Sequence, residues 1–320
     1  MTTMDPARYL VAVGASNMDI AGHSSQAVVP GDSNPGHIRF APGGVARNVA
    51  ENLARLGQPT RLVSAVGDDA PGRSLREATA AAGVDVQDCW VLPGKATSCY
   101  VSLHGPDGDM ALAVNDMRIV TSITPERLAP LAATLASAQA VLLDCNLSGS
   151  ALAWLCAHSG STPIFVDTVS THKCQRIAPW LHRVHLLKPN QLEAQALTGL
   201  PLQTPAHAPA VAAWLHQHGV QQVVLSLGTQ GVFWSTAAGL QGWHAAPTGP
   251  VANTTGAGDA LMAGLLHGFV RGESLAQAVH FASACAALTL GVEAANHPAL
   301  SEALVQQWLA AHPADISAGT

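Results

Sequence analysis

The sequence predicts an α/β fold: a doubly wound, mostly parallel sheet flanked by helices, with a small β-strand lid. Three observations point there. Short β-rich runs alternate with helical patterns along the 320 residues, which is the pattern of stacked strand–helix units. The interiors of those runs are nearly all apolar, as parallel strands covered on both faces require. Two regions break the alternation and read as a separate antiparallel piece.

In chain order, strands are expected at Tyr9–Val13, Arg61–Val66, Ala140–Cys145, Pro163–Asp167, His185–Lys188, Val223–Leu227 and Gly231–Ser235. Helical spacing of apolar residues places helices at Val45–Leu56, Ser74–Ala82, Ala151–His158, Gln191–Leu197, Ala208–His218, Ala260–Val270, Leu275–Leu290 and Ser301–Ala311. Gly22 to Pro42 is instead rich in Gly, Pro, Ser and Asn. Thr97 to Val114 alternates like a hairpin, with Asp107-Gly108 as its turn. One domain over residues 1–320 is expected, with lid segments at 22–42 and 97–117. The tail after Pro313 is expected to fray.

Composition narrows the function. Hydrophobic residues make up 48% of the chain, which excludes a disordered protein. The net charge of −6 and the lack of a basic run argue against nucleic acid as a partner. The most apolar late stretch, Phe281 to Val292, is too short to span a bilayer. Six scattered cysteines without a C-x-x-C pair suit buried thiols in a reducing compartment. No secretory pattern opens the chain. A cytoplasmic protein is expected, without membrane or nucleic-acid partners.

Five motifs carry candidate chemistry. Asn253-Thr-Thr-Gly-Ala-Gly-Asp-Ala260 runs into a small-residue helix. Backbone N–H groups of Gly256, Ala257 and Gly258 can converge on an anion there, and Asp259 stands beside it as a base. A tight turn with a dipole-complementing aspartate is the plainer reading. Ala260, Ala263 and Gly264 keep one face of that helix small.

Pro42-Gly43-Gly44 opens a helix that carries Asn48 one turn in, good equipment for sugar hydroxyls or an ordinary helix after a turn. Asn17-Met-Asp19 follows the first strand, where ligands gather in doubly wound sheets; it also suits an Asx turn. Lys188-Pro-Asn190-Gln-Leu-Glu193 places Glu193 near a metal-bound water or phosphate, or makes a capping box. Ser226-Leu-Gly228-Thr-Gln-Gly231 lines a nucleotide pocket or makes a hairpin loop. The pairs His182/His185 and His216/His218 lack a matching ligand cluster and read as surface histidines. Neither a Rossmann fingerprint nor a P-loop occurs, which disfavours a nicotinamide dehydrogenase.

Together the diglycine helix and the terminal T-G-A-G-D loop resemble the two signatures of the ribokinase-like (PfkB) carbohydrate and nucleoside kinases. The resemblance covers essentially the whole chain. It extends to Asp32-Ser-Asn-Pro-Gly36, Val114-Asn-Asp-Met117, Leu143-Asp-Cys-Asn146 and Leu187-Lys-Pro-Asn190. The family resemblance implies transfer of the γ-phosphoryl of ATP, with Mg²⁺, to an alcohol; these further segments resemble the branch of the family that acts on pseudouridine, which implies its 5′-hydroxyl as the acceptor. The alternatives are another nucleoside or sugar as acceptor, or a binding protein that has lost catalysis.

By the same resemblance, Asp259 is the catalytic base, and Gly256, Ala257 and Gly258 form the anion hole. Asn17, Asp19, Gly43, Gly44 and Asn48 bind the sugar, with Asn146 also on the substrate side. Lys188, Asn190, Ser226, Gly228 and Gly231 line the ATP side, and Glu193 meets Mg²⁺ through water. Asn115 and Asp116, at the end of the lid strand, are candidates to read the base; they also suit a plain turn out of the lid. Most of the family begins its second signature with aspartate, where this chain has Asn253. A neutral amide holds K⁺ less strongly than a carboxylate, so a monovalent cation at Asn253 and Thr255 is expected to matter little. Exposed lid edges suggest a homodimer.

Overall fold

A computed structural model describes residues 9–246, 249 and 251–312. The expected fraying after Pro313 lies outside them. The main sheet has nine strands in the order β13-β12-β11-β10-β9-β8-β1-β4-β5. These are β1 (Leu10–Val13), β4 (Thr60–Gly67), β5 (Cys89–Leu92), β8 (Ala140–Asp144), β9 (Ile164–Asp167), β10 (Val184–Lys188), β11 (Gln222–Ser226), β12 (Val232–Thr236) and β13 (Gln241–His244). The run from β11 to β5 is parallel, and β12 and β13 add antiparallel strands at one edge.

Alternation along β1 explains why its residues are all apolar. Val11 and Val13 enter the core layer on one face, and Leu10 and Ala12 enter the other. Phe165 of β9 and Leu186 of β10 join the second layer, while Val166 and Leu187 join the first. Each such side chain contributes roughly 1.5–3 kcal/mol when fully buried. The strand order reverses between β1 and β8. Crevices at such a reversal, beyond the carboxyl ends of the strands, hold ligands in doubly wound sheets.

The helices are α1 (Val45–Arg55), α2 (Ala70–Ala81), α3 (Pro125–Leu128), α4 (Ala132–Ser137), α5 (Gly149–His158), α6 (Gln191–Thr198), α7 (Ala208–Gln217), α8 (Ala257–Val270), α9 (Leu275–Leu290) and α10 (Glu302–Ala311). The inner faces of α1 and α8 share one core layer through Val49, Leu53, Leu261 and Leu265. Gly264 lies directly against Ala282 of α9, as the small face of α8 suggested.

Some boundaries differ from the sequence reading. Helix α2 begins at Ala70, four residues early, because Asp69 caps it and Pro71 fits a first helical turn. Helix α8 begins at Ala257 rather than Ala260, because Gly256 takes a left-handed conformation as its N-cap. Strands β5 and β13 and the short helices α3 and α4 had not been expected.

A second, four-stranded sheet has the order β3-β2-β6-β7. It comprises β2 (Asn17–Ser24), β3 (Gly36–Gly43), β6 (Cys99–His104) and β7 (Met110–Asp116). Strands β2 and β6 run parallel, and the two outer pairs run antiparallel. The β6–β7 hairpin turns at Asp107-Gly108. Strand β2 starts at Asn17, where an Asx turn had been an alternative, because it pairs on both sides.

Candidate active site

Three neighbouring strands of the main sheet end on a charged residue: Asp144 on β8, Asp167 on β9 and Lys188 on β10. All three are buried. Lys188 Nζ meets Asp167 Oδ2 at 2.9 Å. Burial works against the Lys188 charge, but Asp167, Glu193 and Asp259 outweigh it and hold the ammonium above its ordinary pKa. Asp144 accepts the backbone N–H groups of Ala15 (2.8 Å), Ala46 (3.1 Å) and Asn146 (2.9 Å). It thereby ties β1 and the start of α1 to the end of β8, at the strand reversal.

Helix α8 brings Asp259 to the same place from above. Asp259 is the third residue of that helix and is 9% exposed. A Cβ on Gly256 would stand 1.8 Å from the Ala295 carbonyl oxygen, so the left-handed turn here requires glycine. The turn leaves the first backbone N–H groups of α8 without intrahelical partners, a natural anion cradle. The Cβ position of Gly258 is 3.5 Å from Lys188 Nζ, so the cradle adjoins the buried ammonium.

Asn48 of α1 donates from Nδ2 to Asp259 Oδ2 at 2.8 Å. Burial first, then the Asp167 carboxylate, push the Asp259 carboxyl up to about 7; Asn48 and Lys188 pull the other way. A carboxyl in that range can accept a proton near neutrality.

The second sheet supplies the facing wall. Asn17 Nδ2 donates to Asp19 Oδ1 at 2.5 Å. A Cβ on Gly43 would lie 2.2 Å from Asp19 Oδ2, so glycine there lets the carboxylate approach the diglycine turn. Burial raises the Asp19 carboxyl to about 6, opposed by Asn17 and Arg47. Asp19, Tyr100 and Asn115 stand opposite one another across the strands, and therefore on one face. Asp116 aligns with Cys99 and Met18 on the other face, where Met18 packs on Val66 and Leu75. Its carboxylate is also held by Arg118 in a two-pronged pair, Nε donating to Oδ1 and Nη2 to Oδ2. The two base-reading candidates thus part company.

On the opposite flank, Asn190 caps α6 in a full capping box with Glu193. Glu193 accepts from Asn190 N and Nδ2, each at 2.9 Å, and from Thr168 Oγ1 at 2.6 Å. Asn190 and Ser226 form a parallel bridge, which places the Ser226–Gly231 turn beside that cap. Asn146 accepts from Lys173 Nζ at 2.6 Å. In the signature loop, Asn253 accepts from Thr255 N at 3.0 Å and donates to the Glu293 carbonyl at 2.8 Å. Among the described residues, no cluster of three or more His, Cys, Asp or Glu side chains could hold a metal ion.

Asp144, Asp167, Arg47 and Lys173 are site neighbours that the motifs did not reveal. A signal existed for the first two: consecutive apolar strand runs ending in aspartate.

Residues 7–302 match the pfkB family carbohydrate kinase profile. The pseudouridine kinase of Escherichia coli (strain K12) is 46% identical over 297 residues, covering 93% of this chain and 95% of that protein. An uncharacterized sugar kinase of the same organism is 39% identical over 92% of this chain and 81% of its own length. The structure of Arabidopsis thaliana ribokinase complexed with ribose and ATP superposes with a TM-score of 0.85 at 25% identity, covering 95% of this chain and 99% of that one.

Proposed function

The chain belongs to the pfkB family of carbohydrate kinases, and from that premise we propose that it transfers the γ-phosphoryl of ATP to the 5′-hydroxyl of pseudouridine. The observation that carries the reading is Asp259, a buried carboxyl at about 7, standing at a helix N-terminus beside Lys188. The similarity to a pseudouridine kinase over nearly the whole chain supplies the acceptor.

Phosphoryl transfer needs positioning and charge neutralisation more than covalent chemistry. Asp259 takes the proton of the 5′-hydroxyl as its oxygen attacks. The N–H groups of Gly256, Ala257 and Gly258 stabilise charge on the transferred group. Asn17, Asp19, Gly43, Gly44 and Asn48 hold the ribose, with Asn146 on the same side, and the second sheet acts as a lid that excludes water. Lys188, Asn190, Ser226, Gly228 and Gly231 line the ATP side.

Mg²⁺ keeps most of its waters and is bound by one or two carboxylates plus substrate phosphates. A single Glu193, already hydrogen-bonded to Asn190 and Thr168, fits that role through water. Held there, the ion would neutralise charge on the ATP phosphates. A monovalent cation fits less well, since Asn253 offers a neutral amide where a carboxylate would offer charge.

Pseudouridine carries a free N1–H donor that uridine lacks. A buried acceptor left unpaired by the wrong nucleoside gives discrimination. Asn115 lies on Asp19's face, where it is exposed, so a bound nucleoside has to cover it for it to take this part; Asp116, on the far face and held by Arg118, does not suit it.

The opposite face of the lid exposes Ile38, Phe40, Leu112 and Val114, with Phe40 67% exposed. Apolar rows of this kind mark interfaces, and a second copy of this chain is the proposed occupant. Among the described residues no helix is long and apolar enough to cross a membrane; with six free cysteines, five of them buried, the proposed compartment is the cytoplasm.

An ATP-coupled assay across pseudouridine, uridine, adenosine, ribose and fructose 6-phosphate tests the reading. Pseudouridine should give the highest kcat/KM. A higher value for any other acceptor overturns the substrate assignment, and binding without ADP formation overturns the activity.

A further inference from the structure

We infer that Arg47 is a positioning residue that fixes the orientation of the Asn48 amide and, through it, the readiness of Asp259 to accept a proton. The inference rests on the reading of Asp259 as the base.

Arg47 is 3% exposed and lies one residue before Asn48 on α1. Its guanidinium is held on every side. Nε donates to Thr79 Oγ1 at 3.2 Å. Nη2 pairs with Glu51, which Arg55 also grips. Nη1 donates to Asn48 Oδ1 at 2.9 Å, and to the Pro42 carbonyl and Asn296 Oδ1 at 3.3 Å each. Asn296 returns a bond from Nδ2 to the Asn48 carbonyl at 2.8 Å. The sugar-side turn, α1 and the Ala295-Asn296 segment therefore meet at one immobile cation.

An amide presents an acceptor on one side and donors on the other, and it can turn over. Here its two neighbours remove that freedom. A guanidinium only donates, and an ionised carboxylate only accepts. One orientation satisfies both: Oδ1 toward Arg47 and Nδ2 toward Asp259. The turned amide would set oxygen against carboxylate and NH₂ against guanidinium, two unfavourable contacts in a buried site.

The groups facing Asp259 come from four elements: Asn48 on α1, Asp144 on β8, Asp167 on β9 and Lys188 on β10, with the Arg47 charge behind Asn48. Among the described residues only Asn48 hydrogen-bonds the carboxylate. A bond donated to the charged form favours that form. Arg47 thus acts on the base without touching it.

The test is the pH profile of kcat/KM for pseudouridine. Wild type should show an acid limb, with activity rising as Asp259 loses its proton. Arg47→Lys keeps a charge beside Glu51 but lacks the second arm that reaches Asn48. Its limb should move up by about one pH unit, so that kcat/KM falls about tenfold on the acid side and approaches wild type at high pH. Should that variant not fold, Arg47→Met/Glu51→Met replaces the buried pair by apolar groups of similar size and takes the same measurement. A uniform loss at all pH values, or an unmoved limb, overturns the inference. A wild-type profile with no acid limb would instead overturn the assignment of Asp259, so the two failures are distinct.

Discussion

Replacing Asp259 by Asn should make the protein more stable while it slows turnover, and the gain in stability should depend on pH. The unfolded chain ionises this carboxyl at its ordinary 3.8, whereas burial and Asp167 hold it at about 7 in the fold. The folded state therefore carries the extra proton between those values, and its stability falls as pH rises from 3.8 to about 7. Above that the loss is constant, at about 4 kcal/mol for this shift at roughly 1.36 kcal/mol per pH unit. Asparagine cannot ionise, and its Oδ1 can still accept from Asn48. With an unfolding entropy of roughly 2.1 cal/mol/K per residue, 320 residues give about 0.7 kcal/mol/K. The variant should then melt about 6 °C above wild type at pH 8, by a smaller margin at pH 5, and level with it at pH 4. Thermal unfolding followed by circular dichroism across that range is the assay. A gap that does not change with pH, or a variant less stable than wild type at pH 8, would mean that Asp259 does not titrate with a raised pKa in the fold.

Other predictions follow from the same geometry. Gly256→Ala forces a Cβ toward the Ala295 carbonyl at a φ of 83°; steady-state kinetics should show kcat reduced by about 10²–10³, the scale of losing one preorganised donor. Exchanging K⁺ for a large organic cation at constant ionic strength should leave the rate nearly unchanged, because Asn253 supplies no charge; a strong K⁺ requirement would contradict this. Phe40→Glu/Leu112→Glu, on the outer face of the lid, should yield a monomer by light scattering where wild type is a dimer, and a wild-type monomer would remove the proposed interface.

The central strands were legible because burial on both faces demands continuous apolar runs, as in Leu10–Val13. The hairpin was legible because Asp107-Gly108 has specific turn chemistry. Strands β2 and β3 were not, since Gly22, Gly36 and Pro42 carry weak strand preference and the pairing between them comes from tertiary contact. The start of α8 was hidden for a related reason: Gly-Ala-Gly reads as loop, and only the contact of Gly256 with Ala295 shows why it caps a helix. Motif residues such as Asn48 and Asp259 were visible as a pair of separate signatures. Their hydrogen bond spans 211 positions, and no local pattern encodes it. Asp144 and Arg47 were missed because a single charge at a strand end or inside an amphipathic helix is ordinary until its partners are known. That Asn115 rather than Asp116 shares Asp19's face needed the register of β7 on β6, which spacing alone does not set.

The role of Asp259 as the base is decided by the turnover of Asp259→Asn with pseudouridine and ATP, measured beside wild type with the product identified by phosphorus NMR. Wild type should release pseudouridine 5′-phosphate in step with ADP. The variant should bind both substrates with nearly unchanged affinity and turn over about 10²–10⁴ times more slowly, the range for loss of a general base. Near-normal turnover in the variant, or a wild-type product phosphorylated elsewhere than the 5′-oxygen, would contradict it.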